Sequence, residues 1–307
     1  MTRVAVVAHT KKSLGGGLDE LRSVLAHEGM EPLWFEVSKS KKAPKAVKEA
    51  VAEGADLVFV WGGDGTVQRC LDVLAGEDVD VAILPAGTAN LLATNLEIPK
   101  TIAGAVQVGL HGDRKALDLG RINGEHFAVM AGAGLDALMI RDADRGLKDK
   151  AGRLAYVWTG IRNVKARKVP MKIDVDGQRW FDGDASCVLI ANVSTIVGGL
   201  APFERAEPDD GLLEVGVVEA EGAVQWARVF GRMAVGRIDS SPLTRTTSAR
   251  RIDVRTKAEI DYELDGGHRG STRKLKIRVR PDAVRICVPA ETGTEVGELG
   301  PDSEVAS

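Results

Sequence analysis

The residues with the types and spacing for chemistry begin at Trp61-Gly62-Gly63-Asp64-Gly65-Thr66. Gly62, Gly63 and Gly65 remove the Cβ atoms that would hold a phosphate away from the backbone, and they tolerate positive φ. An apolar run, Leu57-Val58-Phe59-Val60, stands before them, and Val67 to Leu74 follows with helical spacing. This is a strand, a glycine turn and a helix start. The free N–H groups of a helix start can face an anion, with the helix dipole behind them. Thr66 is placed to cap the helix or to give its hydroxyl to a phosphate. Asp64 would repel phosphate. It makes sense beside a triphosphate if it holds Mg²⁺, directly or through water, or contacts an acceptor hydroxyl. An isolated Gly-Gly pair reads as an ordinary tight turn, but the whole hexad after a buried strand favours phosphate binding.

A second turn repeats the arrangement. Val81-Ala82-Ile83-Leu84 reads as a strand, and Pro85-Ala86-Gly87-Thr88-Ala89-Asn90 leaves it before a helix from Leu91 to Leu96. Pro85 ends the ladder because it has no N–H. Gly87 permits close approach, Thr88 offers a hydroxyl and Asn90 an amide. Two such turns on neighbouring strands would face each other as a cradle for a nucleotide triphosphate. Each helix-terminus contact is worth only about 0.3–1 kcal/mol when exposed, so several must converge.

The elements that position these turns follow from the pattern. Val4 to Ala8 and Leu33 to Val37 read as strands, with a helix from Leu18 to Glu28 between them and another from Pro44 to Gly54 after them. Alternating β and α segments make a parallel sheet covered on both faces, a three-layer α/β domain whose ligands bind beyond the carboxyl ends of the strands. The basic, glycine-rich loop Lys11 to Gly17 lacks a P-loop ending; it either closes over a nucleotide or is a surface loop. Ser38 to Lys42 is a solvated basic turn or a nucleotide contact.

Composition bounds the rest. A chain of 307 residues implies two domains, and 44% hydrophobic with 28% charged residues is ordinary for a globular protein. A net charge of −3 gives no basic field for nucleic acid. Cys70, Cys187 and Cys287 show no metal spacing and fit a reduced, cytoplasmic setting. No apolar run is long enough to span a membrane, so membrane contact is expected only as a peripheral one, at the inner face.

The two turns together, followed by Leu96 and Ile98-Pro99, resemble the diacylglycerol kinase catalytic domain family, which includes diacylglycerol, sphingosine and ceramide kinases and bacterial lipid kinases. The hexad alone is shared with NAD kinases and phosphofructokinases. The second turn points to the lipid branch. The resemblance continues through Leu117 to Gly124, Phe127, Gly132 to Asp136, Gly152 to Tyr156, Asn192, Gly198-Gly199, Pro208 to Leu213 and Asp265-Gly266. It implies ATP and Mg²⁺ as cofactors and a lipid alcohol as substrate. It also implies an active site between an NAD kinase/phosphofructokinase-like N-terminal domain and a second domain.

That resemblance assigns roles. Asp64 and Asp265 are the catalytic candidates, as metal partner and base, with the two roles exchangeable. Asp118 is either a catalytic-network carboxylate or a structural hydrogen-bond partner. Thr10, Gly62, Gly63, Gly65, Thr66, Gly87, Thr88 and Asn90 hold the nucleotide. Asp209 and Asp210, next to Leu212, resemble the family's structural Mg²⁺ site, or form a charged turn. Two departures stand out: His9-Thr10 replaces the usual Asn-Pro, and Asp265-Gly266-Gly267 lacks the final Glu of Asp-Gly-Glu.

From about Gly120 the pattern becomes short alternating segments at Met171–Val175, Cys187–Ala191, Glu214–Val218, Arg251–Arg255, Leu275–Val279 and Val284–Val288, with Asp176-Gly177 as a hairpin signal. Helices are expected near Leu154–Val164 and Ala223–Ala234. The expected organisation is 1–119 as nucleotide-binding domain, 120–290 as an antiparallel β-sandwich-like lipid domain, and 291–307 as an acidic disordered tail. The stretches Tyr156, Trp158, Arg162, Lys165, Arg167, Lys168 and Trp226, Arg228, Phe230, Arg232, Arg237 either meet an anionic membrane or place aromatics in a core. The expected activity is an ATP- and Mg²⁺-dependent lipid kinase. An NAD kinase-type enzyme and a binding protein that has lost catalysis are the alternatives. A homodimer is left open.

Overall fold

The computed structural model describes residues 2–134, 168–196, 201–234 and 238–290. The expectations for 135–167, 197–200, Arg237 and the tail 291–307 lie outside the described residues. They include the helix near Leu154–Val164 and most of the first aromatic-basic stretch.

The N-terminal strands are β1 (Val4–His9), β2 (Leu33–Val37), β3 (Leu57–Gly62) and β4 (Asp80–Pro85). They pair in parallel in the order β4-β3-β1-β2. Every residue of β1 and β3 is buried, because helices cover both faces of the sheet. Those helices are α1 (Leu18–His27), α2 (Ala43–Ala52), α3 (Asp64–Leu74), the short α4 (Leu91–Asn95) and α5 (Ile102–His111). α1 packs with α5, and α2 packs with α3. The right-handed crossovers put these pairs on opposite faces. The order in which strands are added reverses between the parallel neighbours β1 and β3, so the loops leaving those two strands flank a topological switch point. Both the His9-Thr10 corner and the glycine hexad sit there.

The second part of the chain is antiparallel. It contains β5 (Asp113–Ile122), β6 (Glu125–Phe127), β7 (Met130–Ala133), β8 (Val169–Val175), β9 (Gln178–Ala185), β10 (Cys187–Ala191), β11 (Leu213–Val218), helix α6 (Gly222–Ala234), β12 (Thr244–Ala249), β13 (Arg251–Leu264) and β14 (Gly267–Val288). The path β12-β11-β10-β7-β13-β14 joins β4 directly, so one sheet runs through both parts. Asp176 and Gly177, at φ 48° and 87°, form the tight turn between β8 and β9. The two strands expected at Leu275–Val279 and Val284–Val288 are one strand, β14, with a register shift between Arg280 and Val284. Its last residues pair with Asp80 and Val81 of β4. Ala283, Val284, Ile286 and Cys287 lie in the N-terminal core.

A second core fills the space between the antiparallel layers, around Ile173, Val215, Ile252 and Ile277. A third lies under α6, where Trp226 and Phe230 are 2% and 5% exposed and stack 5.4 Å apart. In this stretch, therefore, the aromatics face a core. Among the described residues, no helix is long and apolar enough to cross a membrane.

Candidate active site

The two glycine turns touch. A Cβ on Gly63 would meet the Gly87 Cα at 3.0 Å. Gly63 lies just before α3 and Gly87 lies between β4 and α4. Glycine at both positions is what allows the backbones to approach this closely. Gly65, on the first turn of α3, is exposed and faces open space. Thr88 is exposed at the tip of the second turn.

Other expected ligands are occupied within the fold. The Asn90 amide spans its own turn: its Oδ1 accepts from Gly87 N–H at 2.8 Å, and its Nδ2 donates to the carbonyls of Pro85 and Gly87, each at 2.9 Å. Asn90 thereby holds the 85–90 loop in shape, from a left-handed φ of 49°. Thr66 is 1% exposed, and its hydroxyl lies 2.9 Å from Ser40. It caps nothing, and its side chain fills the space above Gly62.

Asp64 links the turns. Its Oδ1 accepts the Leu91 N–H at 2.6 Å, which seats the carboxylate on the start of α4. Burial raises its proton affinity, and the surrounding amides of Leu91, Asn90 and Leu92 oppose that rise. Thr10 is exposed at the end of β1, with its N–H on the Val37 carbonyl at 3.0 Å. His9, in the family's Asn position, is 7% exposed, and its Nδ1 accepts the Lys11 N–H at 3.2 Å. An Asn side chain makes the same bond two residues on, so the imidazole supplies the turn that Asn would.

In the antiparallel part, Asp265 caps the hairpin between β13 and β14, at φ 44° followed by Gly266 at 75°. Its carboxylate accepts three backbone N–H groups, from Ala128, Val129 and Met130, each at 2.9 Å. Burial pushes its pKa to about 6 against those bonds, and the charge of Asp64 adds to the rise.

Asp118 is 2% exposed. Its two oxygens accept from Gly211 N–H at 2.6 Å and Asp282 N–H at 2.9 Å. It ties the 208–212 loop to the bulge of β14, a structural hydrogen-bond role. Burial, with the charges of Asp282 and Asp210, raises its proton affinity against those two bonds. In the loop itself, Asp209 pairs with Lys115 at 2.9 Å and Asp210 accepts the Leu212 N–H at 2.8 Å. Among the described residues, no group of three or more acids, histidines or cysteines is arranged to hold a metal. Both carboxylates of the loop are thus engaged by groups of the protein itself.

A polar seam that sequence reasoning missed fixes α3 to the antiparallel part. Gln68 donates to the His126 carbonyl at 2.6 Å and accepts from Arg269 at 3.0 Å. Asp72 accepts from both the backbone N–H and Nδ1 of His126, at 2.8 and 2.9 Å. Burial would raise the Asp72 pKa, but these bonds outweigh it and hold it low. Arg269 also pairs with Glu125 at 2.6 Å and donates to Gly267 O. A Cβ on Gly267 would lie 2.5 Å from the Arg269 guanidinium. Arg269 therefore occupies the space a Glu at 267 would enter. Nothing local in the sequence marks these partners, which are up to 201 residues apart.

The diacylglycerol kinase catalytic domain model matches residues 5–122, and the YegS C-terminal NAD kinase beta sandwich-like domain model matches 129–288. A Pseudomonas aeruginosa protein named "Probable lipid kinase YegS-like" is 30% identical over 295 residues, covering 94% of this chain and 95% of that one. The chain belongs to the diacylglycerol kinase catalytic domain family. Its relatives include a Mycobacterium tuberculosis diacylglycerol kinase, 29% identical over 249 residues, with 79% of this chain and 80% of that one covered. In fold it is similar to the crystal structure of a diacylglycerol kinase from Bacillus anthracis (23% identity, TM-score 0.73, 93% and 96% covered). It is more distantly similar to an Archaeoglobus fulgidus NAD kinase in complex with ATP (12% identity, TM-score 0.52, 93% of each chain). The α/β domain of NAD kinase type and the antiparallel sandwich-like domain are as the residues led us to expect.

Proposed function

We propose that this family member is a lipid kinase that moves the γ-phosphoryl group of ATP to the hydroxyl of diacylglycerol or a related lipid alcohol. The observation that carries this reading is the contact of the Gly63 and Gly87 turns, with the Asp64 carboxylate seated on the start of α4 beside them. ATP enters as its magnesium complex, which is substrate here. Gly65 and Thr88 face the phosphates, and Asn90 and Asp64 keep the two turns in register. Phosphoryl transfer asks mainly for positioning and charge stabilisation, and a rigid pair of turns supplies the first. The acceptor is a lipid, so the protein works as a peripheral visitor at a bilayer surface.

Purified protein, labelled ATP and a panel of lipid alcohols in mixed micelles test this, with Asp64→Ala as control. Label in a lipid that disappears in the control supports the reading. Label in NAD instead, or tight ATP binding with no transfer, overturns it.

A further inference from the structure

Helix α4, which seats the Asp64 carboxylate, has only five residues, Leu91–Asn95. A helix this short does not hold its place by itself, so its position is set by what its ends touch. Its first residue gives Asp64 a backbone N–H, one of the donors that a helix start leaves free. Its last residue reaches the antiparallel part. The Asn95 side-chain amide closes a ring of two hydrogen bonds with the backbone of Thr195. Its Nδ2 donates to the Thr195 carbonyl at 2.8 Å, and its Oδ1 accepts the Thr195 N–H at 3.0 Å. Nδ2 also donates to the Leu91 carbonyl at 2.9 Å. Leu91 is thus bonded to Asp64 through its N–H and to Asn95 through its carbonyl.

Thr195 lies in the loop after β10, and that loop is also bonded to the segment that holds Asp265. Asn192, 2% exposed, donates its backbone N–H to the Val129 carbonyl at 2.9 Å. Its Nδ2 donates to the carbonyls of Asp118 and Ala128, at 2.8 and 3.0 Å. Ala128 and Val129 supply two of the three N–H groups on the Asp265 carboxylate. Hydrogen bonds and short stretches of backbone therefore connect Asp64 with Asp265, and Asn95 is where that connection passes from one part of the chain to the other. The two parts are also joined by the seam along α3 and by the pairing of β14 with β4. Those bonds hold α3 and β4; none of them runs to α4.

We propose that Asn95 is a positioning residue for phosphoryl transfer: it sets where α4 carries the Asp64 carboxylate relative to the segment that holds Asp265. This rests on the kinase reading above. Transfer depends on alignment, and a misplacement of about 1 Å can cost about 100-fold in rate. The Gly63 and Gly87 turns receive none of the Asn95 bonds, so losing Asn95 should show in kcat and not in ATP affinity.

The test is a double-mutant cycle of Asn95→Ala and Asp64→Asn, with labelled ATP and diacylglycerol in mixed micelles. kcat is measured for each protein, and ATP binding is titrated separately. Asn95→Ala alone should lose about 10- to 100-fold in kcat and keep ATP affinity within about threefold. In the Asp64→Asn background the same change should cost about threefold or less, because the charge it positions is already gone. An equal loss in both backgrounds makes Asn95 a structural residue only and overturns the inference. So does a single variant with kcat within about threefold of wild type, or one whose loss lies wholly in ATP binding. Asn95→Asp decides the matter if the Ala variant fails to fold. As a neutral acid its O–H and C=O can form the same ring with Thr195, whereas ionised it sets a charge against two carbonyls. Its kcat relative to wild type should rise about tenfold or more from about pH 8 to about pH 5, and a flat ratio overturns the inference. A wild type that labels no lipid overturns the kinase reading, and this inference with it.

Discussion

Gly63 and Gly87 stand so close that a Cβ on Gly87 would lie 2.3 Å from the Gly63 Cα. They belong to different strand ends, so their contact fixes the spacing of the whole phosphate cradle. Gly87→Ala should therefore force the turns apart. The expected cost is about 1–3 kcal/mol of stability, read by denaturant unfolding, together with weakened ATP binding read by titration. Gly65→Ala is the contrast, since its Cβ would meet nothing. It should keep or slightly raise stability, by up to about 1 kcal/mol, and still weaken ATP binding. Equal ATP affinity in wild type and both variants would place the nucleotide elsewhere.

Asp64→Asn keeps an oxygen for the Leu91 N–H but removes the charge. We expect unfolding within about 1 kcal/mol of wild type and a fall in kcat of about 100-fold or more. Full activity in that variant would assign Asp64 to holding α4 and nothing else.

The raised pKa of Asp265 makes a signed prediction. Its value moves from 3.8 to about 6 on folding, so the folded chain binds this proton more tightly. The stability this contributes is full below pH 3.8 and is lost as pH rises through 6. Asp265→Asn should flatten that slope in thermal melts. It should also cost about 1–3 kcal/mol, because an NH₂ then faces one of the three donors. An unchanged slope would show that Asp265 does not carry it.

His9 predicts the opposite sign. Burial lowers its pKa from 6.5, with Lys12 and Lys11 adding to the effect against its own backbone bond. The neutral ring accepts the Lys11 N–H, so the stability of that corner is present above pH 6.5 and lost as pH falls below it. His9→Asn should keep the corner and remove the acid sensitivity, measured as ATP affinity and melting temperature between about pH 5 and 7. Equal acid sensitivity in the variant would exonerate His9.

Restoring the family acid should not raise activity. In Gly267→Glu the new side chain meets the Arg269 guanidinium, which now bonds to Gln68 and Glu125. We expect kcat no higher than wild type and a loss of about 1 kcal/mol as the seam loosens. A gain of tenfold or more in kcat would mean that the missing Glu limits this enzyme.

Local chemistry was legible in the sequence where it is local in the chain. The buried runs at Val58 and Ile83, the hexad and the Asp176-Gly177 turn each announce themselves within a few residues. Long-range bonding did not. Gln68 and Arg269 meet only because β14 returns to α3. Pro281 made β14 read as two strands, since it lacks an N–H. The chain passes it through a bulge, and Asp118 bonds the Asp282 N–H there. Only 251–255 of β13 read as strand, although it runs from Arg251 to Leu264.

The return of residues 283–288 to β4 has a consequence for synthesis on the ribosome. The first hundred or so residues emerge with one flank of their sheet bare and part of their interior missing. That flank is closed only when residues 283–288 have been made. The α/β half expressed by itself would expose an unpaired strand to other chains, so dissecting this chain into halves should yield aggregates where grafting the last strand back onto the first half should not.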